Sequence, residues 1–205
     1  MVAALLTFLA AATLVIVAPG PDTLLVTRNV FRRGRRGGLV TGAGTITGLA
    51  LWSVAAALGL SALLAASEVG YNVVRVAGGL YLIWLGVQSL RSHGAVAAAP
   101  TEAASLPMHR AYLTGVLSNL LNPKIGVFFV TFLPGFVPMG APVGSTSALL
   151  GALFVVETAL WLLVLVWLVG NGTGVLSRPA VRRWVDRVTG VVLIGFGVRV
   201  VADVR

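Results

Sequence analysis

The chain alternates between long apolar runs and short gaps rich in polar residues, glycine or proline. Six runs stand out: about Val2–Val30, Leu39–Ala66, Val73–Leu90, Ala111–Leu133, Thr146–Val169 and Trp184–Ala202. A helix needs about 20 apolar residues to cross about 30 Å of hydrocarbon, so each run is long enough for one crossing. The pattern predicts an all-α integral membrane protein of six transmembrane helices. Two runs are interrupted, helix 1 at Pro19-Gly20-Pro21-Asp22 and helix 4 at Asn122-Pro123-Lys124. Proline lacks an N–H and clashes with the carbonyl four residues back, so the carbonyls of Val15, Val17 and Asn119 are expected to lose their helical partners. Open backbone at membrane depth is tolerated only where it is buried in protein or lines a wet cavity. A broken helix carrying a carboxylate is what a binding site near the bilayer midplane requires.

Composition agrees with the pattern. The 205 residues are 58% hydrophobic and only 10% charged, with a mean hydropathy of +0.97. Too little polar surface is available to cover a water-exposed globule. The net charge of +9 raises nucleic acid as a partner, but the placement of the charges argues against it. Arg28, Arg32, Arg33, Arg35, Arg36, Arg91, Arg110, Arg178, Arg182 and Arg183 fall in gaps on one side of a six-helix bundle, and only Arg75 and Arg205 on the other. Such asymmetry marks the cytoplasmic side, which predicts both termini outside. Contact of the Arg28–Arg36 cluster with anionic lipid is the corollary. Residues 92–109 read as a cytoplasmic linker joining residues 1–91 to residues 110–205 within one membrane transport domain. The start of the chain has the apolar core of a signal peptide but lacks a basic n-region, and its run continues past any cleavage point; it is expected to be the first spanning helix. The absence of cysteine excludes disulfides and thiolate metal sites. His93 and His109 have no second ligand nearby, so neither a metal nor a cofactor is expected.

The two halves resemble each other. Helix 3, from Arg75 to Val87, aligns with helix 6, from Arg187 to Val198, with one gap at Gly79. Helices 2 and 5 share Ala50-Leu51-Trp52 and Ala159-Leu160-Trp161. Helices 1 and 4 each carry a break with an ionisable residue, Asp22 or Lys124, after a proline. An odd number of helices per repeat inverts the second half in the bilayer. Two inverted three-helix repeats with paired broken helices are an architecture of secondary transporters.

These residues also resemble a known family, the lysine exporter and homoserine–threonine resistance (LysE/RhtB) family of bacterial amino-acid exporters. The resemblance rests on Ala18-Pro19-Gly20-Pro21-Asp22 with the arginine-rich stretch behind it and on the glycine-rich start of helix 2. It rests further on Gly78-Gly79-Leu80-Tyr81-Leu82-Ile83-Trp84-Leu85-Gly86 and on Asn119-Leu120-Leu121-Asn122-Pro123-Lys124 leading to Leu133-Pro134. It covers essentially the whole chain and departs at Gly135, where the family often has glutamine. It implies six helices in the bacterial inner membrane and outward export of amino acids or close relatives, driven by protons.

The candidate site residues are Asp22, Lys124, Glu157, Asn119 and Asn122. Asp22, at the positive end of a restarted helix, is either a cap, an acceptor for a substrate ammonium or a proton carrier. Lys124 either neutralises Asp22 or Glu157 or holds a substrate carboxylate. Asn119 and Asn122 either satisfy the broken backbone or bind substrate. A carboxylate at the centre of a lone span costs about 2.5–3.5 kcal/mol on insertion scales, so Glu157 is expected to have a function, loading and releasing a proton, unless it is a fixed partner of Lys124. Gly44 and Gly48, with Gly78, Gly86, Gly190 and Gly197, are expected to let helices approach closely. The tryptophans read as packing or interface anchors rather than a substrate cage. No nucleophilic or phosphate-binding set is present, so an enzyme is not expected. A homodimer stays open, as do two rival readings: a non-transporting membrane scaffold, and an exporter of another small solute such as a cation.

Overall fold

The computed structural model describes residues 2–18, 20–91, 107–138, 140–172 and 179–202. Pro19, most of the linker, Arg178 and Arg205 lie outside the described residues. The described chain is all-helical: α1 (Val2–Val17), α2 (Pro21–Ala66), α3 (Glu68–Arg91), α4 (Met108–Leu120), α5 (Pro123–Val127), α6 (Val143–Gly170) and α7 (Pro179–Ala202). A π-helical turn (Phe128–Phe132) and a 3-10 turn (Leu133–Phe136) continue α5.

Several boundaries differ from the sequence reading. The arginine-rich stretch is not a loop. Helix continues through it, and only Gly34 leaves helical geometry, at φ 67 and ψ −171. Arginine is a good helix former, and a glycine reaches positive φ without steric cost, so one residue suffices to turn residues 21–33 into 35–66. The expected loop from Ser67 to Asn72 shrinks because α3 starts at Glu68. Helix 4 is split more deeply than a kink would split it, with a 50° bend between Met108–Leu120 and Pro123–Phe136.

Among the described residues, Pro21–Gly59 and Val143–Gly170 are each long and apolar enough to cross a membrane, and the bent pair makes a third such span if counted as one. The surface is apolar, with Leu6, Leu51, Leu58, Leu160 and Trp167 more than half exposed, whereas Thr41, Thr45, Asn119, Asn122, Ser147 and Thr158 are buried. Polar groups inside and leucines outside suit a hydrocarbon solvent.

Glycines set the close crossings. A Cβ on Gly44 or Gly115 would overlap backbone of the facing helix, Tyr112 for the first and Thr41 for the second, and one on Gly48 would lie 2.9 Å from the Asn119 side chain. The order of these contacts makes residues 35–66 of α2 parallel to α4. Gly42 faces Leu162, and Gly151 faces Ser53, so α2 and α6 are antiparallel. A Cβ on Gly86 would stand 2.6 Å from the Gly190 carbonyl, one on Gly190 2.8 Å from the Gly86 carbonyl, and one on Gly197 2.5 Å from the Gly79 carbonyl. Helices α3 and α7 are therefore antiparallel too. Here Gly79 supplies the contact, the residue placed in the alignment gap.

The main core is aromatic. Phe8 of α1 meets Phe136 at 5.3 Å between ring centroids, Phe128 stacks on Phe154 of α6 at 4.1 Å and on Phe132 at 4.7 Å, and Trp52 of α2 lies parallel to Phe129. A π-turn adds a residue to the helical ladder and re-aims side chains. Here Phe128, Phe129 and Phe132 are all fully buried.

Candidate functional site at the crossed helix breaks

The two breaks lie against each other. The first helix ends at Val17 and restarts at Pro21, where the amide of Leu24 donates to the Gly20 carbonyl at 3.0 Å. Proline suits the first position of a helix because its missing N–H would be unused there. Asp22 follows in the first turn, and its carboxylate reaches the end of α4. Ser118 Oγ donates to Oδ1 at 2.9 Å, and the Nδ2 groups of Asn119 and Asn122 donate to Oδ2 at 2.9 and 3.0 Å.

The second break mirrors this arrangement with the opposite charge. Pro123 opens α5, and Asn122 caps it by accepting from the Lys124 amide at 3.1 Å. The Lys124 side chain reaches back to the end of α1, where Nζ donates to the carbonyls of Val15 at 2.6 Å and Ala18 at 3.2 Å. Val15 is a carbonyl that proline chemistry orphans, and an ammonium fills it. The Asn119 carbonyl does not stay open: the amide of Asn122 takes it at 3.1 Å in a tightened last turn. The two asparagine side chains serve Asp22, with Asn122 capping α5 as well.

Glu157 is not brought to this site. Its Oε1 accepts from Thr13 of α1, and its buried Oε2 has no hydrogen-bond partner. A fixed pairing with Lys124 is not what the structure has, because the ammonium is directed at α1 carbonyls.

Between the breaks lies a cavity with room for water-sized molecules over about 40 Å³, roughly three water positions. Among its lining residues, Asp22 and Lys124 are the charged ones; Thr23, Thr45, Asn119, Asn122 and Thr158 are polar; Ile16, Leu49, Phe154, Trp161 and Leu162 are apolar or aromatic. The formal charge of the lining is zero. Unused hydrogen-bonding capacity remains. A carboxylate has about four lone-pair sites, and Asp22 uses three. An ammonium has three N–H groups, and Lys124 uses two. Asn119 Oδ1 and the Trp161 indole nitrogen are buried without partners. The sequence reading missed Ser118, Thr45, Thr158 and Trp161. The available signal was on α6, where Phe154, Thr158, Trp161 and Leu162 recur at helical spacing and so share one face.

The family model of the LysE type translocator matches residues 13–204. The chain belongs to that family. It is therefore a membrane translocator and not an enzyme. It is 32% identical over 204 residues to the threonine efflux protein of Escherichia coli, covering 96% of this chain and 98% of that one. It is 30% identical to the uncharacterized membrane protein YrhP of Bacillus subtilis, over 95% of this chain and 97% of the relative. Identity to the leucine efflux protein of Salmonella typhimurium is 29%, over 94% and 92%. No solved structure matches the chain.

Proposed function

We propose that this translocator exports neutral amino acids from the cytoplasm across the bacterial inner membrane by alternating access. The observation that carries the reading is the pair of crossed breaks around a cavity whose charged lining is one carboxylate and one ammonium. A zwitterion presents one ammonium and one carboxylate, and Asp22 with Asn119 offers spare acceptors while Lys124 offers a spare donor. A cationic amino acid would need a second acid in the cavity, and Glu157 does not line it. Relatives named for threonine and leucine efflux support the same class.

Six spans in two inverted three-helix repeats give this site its frame, residues 1–91 and 110–205 being the repeats. The parallel run of α2 and α4 and the antiparallel runs of α2 with α6 and α3 with α7 support it, because they are the directions that six alternating crossings require. Exchanged contacts support it further. Shifting by 109 residues, the offset of the shared Ala-Leu-Trp, turns the contact of Gly42 with Leu162 into that of Gly151 with Ser53. Shifting by 111 residues exchanges Gly79 with Gly190 and Gly86 with Gly197. Pairs that swap under the shift are the mark of a two-fold axis. With the arginine-rich ends in the cytoplasm, the aromatic core closes the extracytoplasmic side of the cavity. Glu157, outside the cavity but bonded to α1, is the proton site.

The test is efflux from cells expressing the chain and loaded with mixed dipeptides. Wild type, Asp22→Asn and Glu157→Gln are compared at equal membrane abundance, with and without a protonophore. Faster release of one neutral amino acid, lost with either substitution and with the protonophore, is the expected result. Release no faster than from cells with empty membranes, for every amino acid, overturns the assignment.

A further inference from the structure

We infer that the Trp161 indole N–H is a hydrogen-bond donor for the substrate carboxylate, completing with Lys124 the anion-binding end of the cavity. The inference rests on the amino-acid reading above and adds a recognition residue to it. Trp161 lines the cavity, and its Nε1 is buried with no partner. Indole nitrogen is a donor only and cannot be satisfied by a proton from elsewhere. Burying it unpaired costs free energy; Trp52 bears the same cost, and what singles Trp161 out is its place, with Lys124, on the cavity lining. The side chain packs between the aromatic core and the cluster of Val26, Val30, Leu162, Leu165 and Val166, which holds the ring in place.

Several of the other side-chain donors around the cavity are engaged, while the Thr23 hydroxyl also lines it. Ser118 gives its hydrogen, and Asn119 and Asn122 one amide hydrogen each, to Asp22. Thr45 and Thr158 give theirs to the carbonyls of Thr41 and Phe154, one turn back in their own helices. A carboxylate entering this space would find the third N–H of Lys124 and, by this inference, the indole of Trp161, both on the lining. Two donors from separate helices suit the two oxygens of a carboxylate, whereas one ammonium alone would fix its charge and not its orientation.

Trp52 provides an internal control. It occupies the matching place in the Ala-Leu-Trp repeat, and its Nε1 is likewise buried without a partner. Its ring rests against Gly126 and stacks on Phe129, and it does not line the cavity.

The experiment measures binding to the full chain in detergent by thermal stabilisation. The probes are L-threonine and L-leucine, with 1-amino-2-propanol and 3-methylbutylamine as counterparts that keep the amine and side chain but lack the carboxylate. Trp161→Phe is expected to weaken the amino acids about tenfold, the scale of one hydrogen bond to a charged group, and to leave the amines unchanged. Trp52→Phe is expected to show no such carboxylate-specific loss. Equal weakening of amino acids and amines by Trp161→Phe, unchanged amino-acid binding, or the same selective loss in Trp52→Phe overturns the assignment. If wild type binds neither amino acid, the amino-acid reading falls and this inference falls with it; binding that survives Trp161→Phe removes only the latter.

Discussion

Exchanging the charges at the two breaks separates a docked pair of helix ends from a simple ion pair. In Asp22→Lys/Lys124→Asp the formal charges are conserved. An ion pair across the cavity would survive the exchange, because Coulomb attraction is indifferent to which side holds which sign. The geometry here is not indifferent. Position 124 faces the carbonyls of Val15 and Ala18, which only accept. A carboxylate there cannot bond to these two oxygens and opposes them. Position 22 is more forgiving, since the Asn119 amide can rotate and the Ser118 hydroxyl can accept. Asn122 Oδ1, however, stays bound to the amide of residue 124.

The magnitude follows from the bonds that cannot be rebuilt. Hydrogen bonds to charged groups contribute about 1.5–3 kcal/mol net. Losing the two from Lys124 therefore costs about 3–6 kcal/mol before any repulsion is added. For a chain of 150–250 residues about 1 kcal/mol moves the melting temperature by about 2–4 °C, so the fall should be at least about 6 °C. The assay is the melting temperature of the purified chain in one detergent for wild type, both single variants and the exchange. A double variant melting within about 2 °C of wild type, or restored export in cells, refutes the docking argument and reinstates the plain ion pair.

Other substitutions test separate parts of the structure. Gly44→Leu puts a side chain into the Tyr112 carbonyl and should cost about 1–3 kcal/mol or more by overpacking, read as a lowered melting temperature. Gly59→Ala, with nothing within 4 Å of its Cβ position, should gain up to about 1 kcal/mol from helix propensity. Glu157→Gln keeps an acceptor for Thr13 and should leave abundance unchanged, while export falls to the protonophore-treated level; full, protonophore-sensitive export would remove Glu157 from coupling. Phe128→Ala empties the centre of the aromatic core and should cost about 3–5 kcal/mol in denaturant unfolding, and a loss below about 1 kcal/mol would mean the rings do not pack as described.

What the sequence disclosed depends on whether the signal was local. Proline chemistry alone identified both breaks and the orphaned Val15 carbonyl, because the missing N–H is a property of one residue and its neighbour four back. Which group fills that carbonyl was not legible. Lys124 lies 109 positions away, and nothing in the periodicity of an apolar helix fixes which remote side chain it meets. The Asn119 carbonyl misled for the opposite reason: a local 3-10 turn rescued it, and the competition between α and 3-10 bonding at helix ends is decided within a residue or two. Arginine density suggested a loop around Gly34, yet charge says only which side of a membrane a segment lies on and not whether it is helical. Trp161 was indistinguishable from an interface anchor because a single aromatic on an apolar helix has no pattern. Only its neighbour Thr158, polar and on the same face, pointed inward.

The charges at the breaks follow from what each opposing helix end can offer. The end of α4 presents three side-chain donors, Ser118, Asn119 and Asn122, and its last carbonyls are already turned onto local amides. It needs an acceptor, and the first residue after Pro21 with a reachable side chain is an aspartate. The end of α1 presents no polar side chain near its break, only the carbonyls of Val15, which Pro19 strips of its helical partner, and of Ala18 at the break itself. It needs a donor, and the residue after Pro123 is a lysine. The lysine is required by backbone satisfaction, because a carboxylate at position 124 would leave the α1 carbonyls unpaired, and the aspartate by the side-chain donors at the end of α4, of which Asn122 cannot turn its oxygen to a cation while it caps α5. A cavity flanked by one acceptor-rich and one donor-rich break is the consequence. Selection for an amphoteric substrate would then come from the same bonds that hold the broken helices together, which predicts that variants loosening the breaks lose stability and substrate affinity in step.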